Sequence, residues 1–318
     1  MPRSMLARTV RSPARSVLLL VIFGGCEIEE ITVVDVEDVV IAEVYVNLAK
    51  DPGDNEVLGF LHRTVGTDIE GVADLVAAEL TLRRSDGLTF SLRNAAASDC
   101  VETLPEGEEG ACFFADSVAA AQLTPGDLLA LDVALPDGRE LGGATRIPGS
   151  FDLLGVGGAC ILPPDTRSTL EWTRADEAWA YVNETSINGL PAALRSEGIV
   201  LQDDPLYLLG LSVSDSDTTI VFPSEFGVFN RFELDQDVAV RLQRGLPAGV
   251  SARVTISAVD RNYVNWARGG NFNPSGQVRI ASLRGDGTGV FASTVVRGVN
   301  VTVLDEPGGQ PACPVESG

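Results

Sequence analysis

Apolar and polar residues alternate with a period of two along most of this chain, a pattern typical of β-strands with one buried face. The segment 40–48 shows it most clearly. Its inward positions are all apolar: Val40, Ala42, Val44, Val46 and Leu48. Its other face carries Glu43, Tyr45 and Asn47. The segment is therefore predicted to be a half-buried strand.

Two hairpins are predicted in the first half of the chain. The alternating segments 80–83 and 88–93 are separated by Ser85-Asp86-Gly87, which supplies turn-forming residues. The segment 129–135 leads into Pro136-Asp137-Gly138, where Gly138 can adopt a positive φ at low cost.

In the second half, paired strands are predicted over 238–242 and 250–258, joined near 245–249. Two more strands, 277–283 and 289–295, flank a turn at 284–287. One helix interrupts them, because Asp260 is a good N-cap and Tyr263 and Trp266 recur at helical spacing. Such an aromatic pair favours a helix packed on a sheet over a ligand platform. Signals in 185–229 are mixed, with a short helix over 190–196 and a buried strand over 206–213.

The N-terminal residues have the pattern of a bacterial lipoprotein signal. Four arginines precede the short apolar run 17–23, and Gly24 and Gly25 stand directly before Cys26. Lipidation is therefore expected at Cys26, and Glu27 in the next position favours the outer membrane, facing either the periplasm or the cell surface. The alternatives are an uncleaved helical anchor and a soluble secreted protein with Cys26 buried.

The fold expected is mostly β, with two consecutive antiparallel β-sandwich-like domains (Ig/transthyretin-like) and one or two short helices. The Gly- and Pro-rich segment 147–164 has no clear period and supplies the domain boundary. The predicted plan is a signal peptide over 1–25, an acidic tether over 26–38 and an N-terminal β-domain over 39–148. A linker over 149–164, a C-terminal β-domain over 165–305 and a tail over 306–318 follow.

Four cysteines remain besides Cys26, an even number in a compartment where disulfides persist. Of the three possible pairings, spacing favours Cys100 with Cys112 and Cys160 with Cys313. A zinc site is the competing interpretation, but the chain has no Cys-x-x-Cys and its only histidine, His62, is far from these cysteines in sequence.

Charge excludes two classes of partner. Cleavage after residue 25 removes four arginines and no acid, so the net charge changes from −22 to about −26. A chain this acidic is not expected to bind nucleic acid or anionic lipid through its charge. Acids concentrated between 27 and 38 are typical of a solvated spacer near the membrane.

Three stretches resemble the bacterial outer-membrane lipoproteins grouped as domain of unknown function 4249. They are 40–48 with its Pro52-Gly53 turn, Ala78-Glu79-Leu80-Thr81-Leu82 with Asp86-Gly87, and 256–293 with Asn273-Pro274. The resemblance implies a lipid-anchored accessory protein beside a TonB-dependent receptor. It implies no catalytic residue, and the four further cysteines are not a feature of the family.

The chain offers little for catalysis, since His62 is the sole candidate base and no Gly-x-Ser-x-Gly occurs. The carboxylate pairs Asp203/Asp204 and Asp176/Glu177 are expected to be solvated loops. Oxygen-rich segments at 51–56 and 214–217 could hold calcium, but turn-forming residues explain them as well. No enzyme, cofactor or metal is predicted.

The expected function is that of a non-catalytic binding or accessory module of the cell envelope, anchored to the membrane by lipid. Its expected partner is a TonB-dependent receptor or another envelope protein. The alternative is a structural or adhesive cell-surface lipoprotein, with a hydrolase of unrecognised type as a third hypothesis.

Overall fold

A computed structural model describes residues 38–64, 69–100, 110–212, 214–225, 236–268, 279–306, 309 and 311–315. These residues all belong to one compact unit, 36–318. Cys26, the predicted signal peptide and the tether up to residue 37 lie outside the described residues.

In the part of the first half that the structure describes, seven strands form. They are β1 (Val40–Leu48), β2 (Glu56–Arg63), β3 (Glu79–Arg84), β4 (Thr89–Ala95), β5 (Gly110–Ala115), β6 (Leu128–Ala134) and β7 (Glu140–Arg146). Both predicted hairpins are confirmed, because β3 pairs antiparallel with β4 and β6 with β7. Gly87 and Gly138 adopt the positive φ values that their turns require.

Nine further strands form among the described residues of the second half. They are β8 (Leu153–Leu154), β9 (Ala159–Leu162), β10 (Ser168–Trp172), β11 (Ala180–Asn188), β12 (Leu206–Leu211), β13 (Thr219–Phe222), β14 (Ser251–Val259), β15 (Arg284–Gly285) and β16 (Gly287–Val303). Twelve strands form a path β12-β11-β14-β16-β1-β2-β5-β4-β3-β6-β7-β15, and β9 joins the same sheet beside β16. The order β13-β10-β8 makes a second sheet.

Strand β16 joins the two halves of the chain. Its residues 287–295 pair parallel with β1, and residues 294–302 pair antiparallel with β14. The segments 39–148 and 165–305, predicted as separate domains, therefore share one sheet in the described residues. The predicted linker 149–164 is not irregular throughout, since it contains β8, which pairs with β10, and β9, which pairs with β16.

The last strands of the first half are linked back to β1, the first strand, through β15 and β16. Strand β15 pairs with β7, and only Asp286 separates β15 from β16, which pairs with β1. Close backbone approach explains the glycines here: a Cβ on Gly289, whose φ is +143°, would lie 1.9 Å from the carbonyl oxygen of Ala42. The run 285–289 is thus where the chain passes between β7 and β1, and the described residues 279–283 of the predicted strand 277–283 are not a strand.

A large apolar core lies inside these layers and draws on both halves of the chain, from Val40 to Val303. In the second half the two sheets pack through aromatic side chains. Tyr181 on β11 meets Trp172 on β10 edge-on at 5.3 Å between ring centroids, and Phe151 at 5.8 Å. The protein is therefore mostly β, with packed sheet layers, as the alternation predicted.

The described residues form five α-helices: α1 (Ile69–Val76), α2 (Ser117–Ala120), α3 (Leu190–Leu194), α4 (Gln236–Leu242) and α5 (Arg261–Arg268). Short 3₁₀ turns lie at Pro52–Asp54, Ala97–Asp99 and Arg195–Glu197. The helix predicted after Asp260 is confirmed as α5, and the helix and strand predicted within 190–213 are confirmed as α3 and β12. No helix in the described residues is long and apolar enough to cross a membrane.

The strand predicted over 238–242 is wrong, because these residues belong to α4. Val238 and Leu242 are buried and Val240 is half exposed. A spacing of four places the first two residues on one face of a helix as well as on one face of a strand. The burial of Arg241 beside Leu242 shows the helical face that the period-two interpretation missed.

Candidate functional site

The structure pairs the four cysteines outside the N-terminal segment as spacing favoured. Cys100 bonds Cys112, and Cys160 bonds Cys313. The second bond ties β9 to the tail, where Cys313 N also donates to Ile161 O at 2.8 Å. Disulfides of this kind are compatible with a location outside the cytoplasm.

Three of the carboxylates considered for calcium or catalysis, Asp51, Asp217 and Asp204, accept hydrogen bonds from backbone N–H groups. Asp51 accepts a hydrogen bond from Gly53 N, and Asp217 accepts one from Ser214 N, so each closes its own turn. Asp204 accepts from Gly189 N ahead of α3, while Asp176 and Glu177 lie exposed in a loop. His62 stacks on Phe60 in β2 with 5.5 Å between ring centroids. In the described parts of the chain, no group of three or more metal-binding side chains lies together.

A groove crosses the outer face of the large sheet, away from the main core. Pairing register places Leu209, Glu184, Thr255 and Gly298 in one row across β12, β11, β14 and β16. The adjacent row continues with Val182, Ser257 and Val296. The side chains of Thr255 and Ser257 are small and Gly298 has none, so the middle of this face is recessed. We call the recessed surface along these two rows the outer groove.

Aromatic side chains border the outer groove. Tyr45 on β1 and Tyr263 on α5 meet edge-on at one end, with ring centroids 6.2 Å apart. Tyr207 on β12 lies at the other end and is 65 % exposed. The groove consists of a hollow of about 330 Å³ beside Tyr45 and Tyr263 and another of about 300 Å³ beside Tyr207. Glu184 lines both hollows, so it lies where they join.

Helix α5 is held against this face by a small second core. Val264 packs on Ala180, Val182 and Val259, with Tyr263 at its edge. The first turn of α5 is fixed by Asp260, which accepts a hydrogen bond from Tyr263 N at 2.9 Å. Tyr263 is therefore positioned by a capped helix, which makes it a rigid wall of the outer groove.

Two glutamates border the outer groove, and they differ in their partners. Glu43 accepts a hydrogen bond from the Tyr45 hydroxyl at 3.4 Å, and its Oε1 lies 3.6 Å from Arg279 Nη1. Arg279 also stacks over Trp266 at 4.8 Å. The side chain of Glu184 has no hydrogen bond or ion pair in the described residues. Arg253 lines the hollow beside Tyr207 as well, but no ion pair joins it to Glu184, so the Glu184 carboxylate lacks a counter-ion.

Burial affects the ionisation of this group of residues. Desolvation raises the pKa of Glu184, although its side chain reaches solvent at the mouth of the groove. Burial, followed by the charge of Glu184, raises the pKa of Tyr263 to about 12. Burial, followed by the charge of Glu43, raises the pKa of Tyr45 as well. Both tyrosines are thus neutral hydroxyl groups at physiological pH.

A larger polar cleft, about 560 Å³, opens beside the groove where the turn at 49–54 meets the loop at 152–158. Three basic side chains line it: Lys50, Arg253 and Arg297. Three acidic side chains line it as well: Asp51, Asp54 and Asp152. The charges of these described side chains balance. Arg297 is held by its Nε bond to Phe151 O at 2.9 Å, and burial lowers its pKa.

Sequence reasoning placed Tyr45 on the outward face of a strand and Tyr263 on a helix packed against the sheet, and both are confirmed. It missed Glu184, because β11 was not predicted. The inward positions of β11 include Asn183 and Thr185, which are buried and hydrogen-bonded to each other at 3.2 Å. These polar residues hide the period-two signal that would have revealed the strand.

The fold and the outer groove define a mostly β protein with an open groove on one sheet face. No family model matches this chain, and no match was found among curated proteins. Among solved structures it is similar to the fibronectin(III)-like modules of Clostridium thermocellum CbhA. The sequence identity is 10 %, over 83 % of this chain and 90 % of that chain, with a TM-score of 0.19. A TM-score this low gives no support for a shared function.

Proposed function

We propose that this protein is a non-catalytic binding module outside the cytoplasm, anchored to the outer membrane by lipid on Cys26. Its partner is a TonB-dependent receptor or another envelope protein. The observation that carries the proposal is the outer groove, an open surface with rigid aromatic walls and a carboxylate that lacks a counter-ion. Rigid anchors of this kind favour recognition, because little side-chain entropy is lost on binding.

The membrane anchor is supported by the sequence. Phe23-Gly24-Gly25-Cys26 follows a short apolar run and four arginines. Each buried methylene of an acyl chain contributes about 0.8 kcal/mol, so two or three chains hold a protein firmly at a membrane. The resemblance to the lipoproteins of domain of unknown function 4249 favours a receptor as partner, with the outer groove as the surface that meets it.

Crosslinking in native envelopes tests the proposal. The lipidated protein and a Cys26→Ala variant are crosslinked, purified under denaturing conditions and compared by mass spectrometry. We expect a receptor or other envelope protein to be enriched with the wild type and lost with Cys26→Ala. The variant should leave the membrane pellet after a high-salt wash while its thermal unfolding stays unchanged. Retention of Cys26→Ala in the pellet would contradict the anchor.

Protease treatment of intact cells separates this proposal from a structural or adhesive role. A periplasm-facing accessory is protected in intact cells and digested only after the outer membrane is opened. Cleavage on intact cells, together with an empty crosslinking result, would instead favour the adhesive alternative. Turnover in a screen with ester, peptide and glycan substrates would contradict the non-catalytic assignment.

A further inference from the structure

The Glu184 carboxylate lies in the outer groove with no hydrogen bond or ion pair in the described residues, and it shares the hollow beside Tyr207 with one cation, Arg253. Glu43, at the end of the groove that Tyr45 and Tyr263 border, has both the Tyr45 hydroxyl and Arg279 as partners. The basic residue nearest in register is Arg253, which lies in the row next to Glu184 on β14. Its guanidinium points away from β11, because Nη1 lies 3.4 Å from Asn300 Oδ1 on β16 and Nη2 lies over Gly298. Arg253 therefore forms no ion pair with Glu184, whose carboxylate has no counter-ion in the described residues.

The surroundings of Glu184 suit a positive charge. The faces of aromatic rings attract cations, and Tyr263 borders the same hollow as the carboxylate. The mature chain carries a net charge of about −26, which attracts a basic partner at long range. A cation seated between Glu184 and Tyr263 would supply the counter-charge that the partly desolvated carboxylate lacks.

The shape of the site favours a segment of a protein over a small molecule. Small-molecule sites enclose most of their ligand, whereas the outer groove is open along its length. Its two hollows, about 330 and 300 Å³, are joined at Glu184 and lie along one sheet face. Such a surface fits an extended chain that places one side chain in each hollow.

We propose that the outer groove binds an extended segment of the partner protein through a lysine or arginine side chain, with Glu184 as its counter-ion and Tyr263 as its aromatic wall. This inference rests on the proposed function and names the chemistry that the partner presents. Acetylation or loss of the basic side chain abolishes recognition, while the rest of the segment contributes contact along the sheet.

Peptide titration tests the proposal directly. The probe is an N-acetylated, C-amidated heptapeptide of threonine and valine with a central lysine, titrated calorimetrically into the full lipidated protein in detergent. Matched peptides carry acetyl-lysine or glutamate at the centre. We expect the lysine peptide to bind at least tenfold more tightly than either, and its affinity to fall with added salt.

Glu184→Gln should reduce the affinity for the lysine peptide at least tenfold, to the level of the acetyl-lysine peptide. The matched control is Glu171→Gln, which removes the same charge from β10 in the other sheet and should change the affinity less than twofold. Equal binding of the charged and acetylated peptides, an equal loss in both variants, or no binding at millimolar lysine peptide would overturn the proposal.

Crosslinking with the same variants separates this inference from the proposed function. If wild type and Glu184→Gln capture the same envelope partner equally, the role of Glu184 is refuted and the accessory function stands. If wild type captures no partner while the lysine peptide binds in a Glu184-dependent manner, the accessory function fails and the chemistry of the groove stands.

Discussion

Thr145 on β7 donates a hydrogen bond to Asp260, which precedes α5, with Oγ1 and Oδ2 2.5 Å apart across 115 positions of sequence. Ser293 on β16 lies 2.9 Å from the same Thr145 hydroxyl and donates to Arg146 O at 3.1 Å. One buried network therefore fixes β7, β16 and the start of α5, and through α5 it positions the Tyr263 wall of the outer groove.

Replacing Asp260 tests that network. Asp260→Ala removes an N-cap and leaves the buried Thr145 hydroxyl without its acceptor, so we expect a loss of about 2–4 kcal/mol in the free energy of unfolding. Asp260→Asn keeps an acceptor for Tyr263 N and can donate to Thr145, so most of the loss should be absent. Urea denaturation of both variants measures the difference, and equal losses would refute the network.

Arg241 is the second buried group with a clear energetic role. Its Nε bonds Glu197 Oε2 at 2.9 Å, and its Nη1 donates to Gly245 O at 2.7 Å. Its Nη2 bonds Asp165 Oδ1 at 2.5 Å. Arg241→Ala leaves a cavity and removes the donor of the buried Gly245 carbonyl, whereas Asp165 and Glu197, 65 % and 36 % exposed, can bind water instead. We therefore expect about 1–3 kcal/mol of destabilisation by urea denaturation.

The neighbouring exposed Arg244→Ala is the control for Arg241 and should stay within about 0.5 kcal/mol of wild type. A comparable loss in both variants would mean that general charge, not the buried network, accounts for the effect.

The two disulfides should differ in their contribution to stability because they span different lengths of chain. The Cys160–Cys313 bond spans 153 residues. Replacing both cysteines by Ala should lower the free energy of unfolding by about 5 kcal/mol on the loop-entropy model. The Cys100–Cys112 bond spans 12 residues, so its removal should lower the free energy of unfolding by about 3 kcal/mol on the same model. Urea denaturation under oxidising conditions measures both. A larger loss at Cys100–Cys112 would show that native-state contacts outweigh chain entropy.

The raised pKa of Glu184 predicts a pH-dependent effect of Glu184→Gln on stability. A carboxyl whose pKa is raised on folding binds its proton more tightly in the native state, so it destabilises the protein progressively as pH rises through that pKa. The variant lacks this penalty. Its melting temperature should therefore exceed that of wild type at pH 7, and the difference should shrink at pH 4. A difference that grows as pH falls would contradict the sign.

Much of the strand content could be predicted from the sequence, because the buried and exposed faces of a half-buried strand give apolar and polar residues that alternate with a period of two. Segment 40–48 and both early hairpins show this clearly. The same rule failed at α4, where Val238 and Leu242 fit either period, and at β11, where buried Asn183 and Thr185 interrupt the apolar face. Local patterns are ambiguous when few residues are involved or when hydrogen bonds satisfy polar groups inside the core.

Local patterns and residue counts were enough to predict the β class of the fold, the helix after Asp260 and the favoured disulfide pairing. The first two depend on residues close together in the chain, and the third depends on the spacing of four cysteines. Neither the pairing of β16 with both β1 and β14 nor the groove bordered by Tyr45, Glu184 and Tyr263 could be predicted in this way. Those residues come together through the pairing of β1 with β16, of β16 with β14 and of β14 with β11, which are not neighbours in the sequence. Such pairing depends on the packing of the whole sheet and leaves no local signal in the sequence.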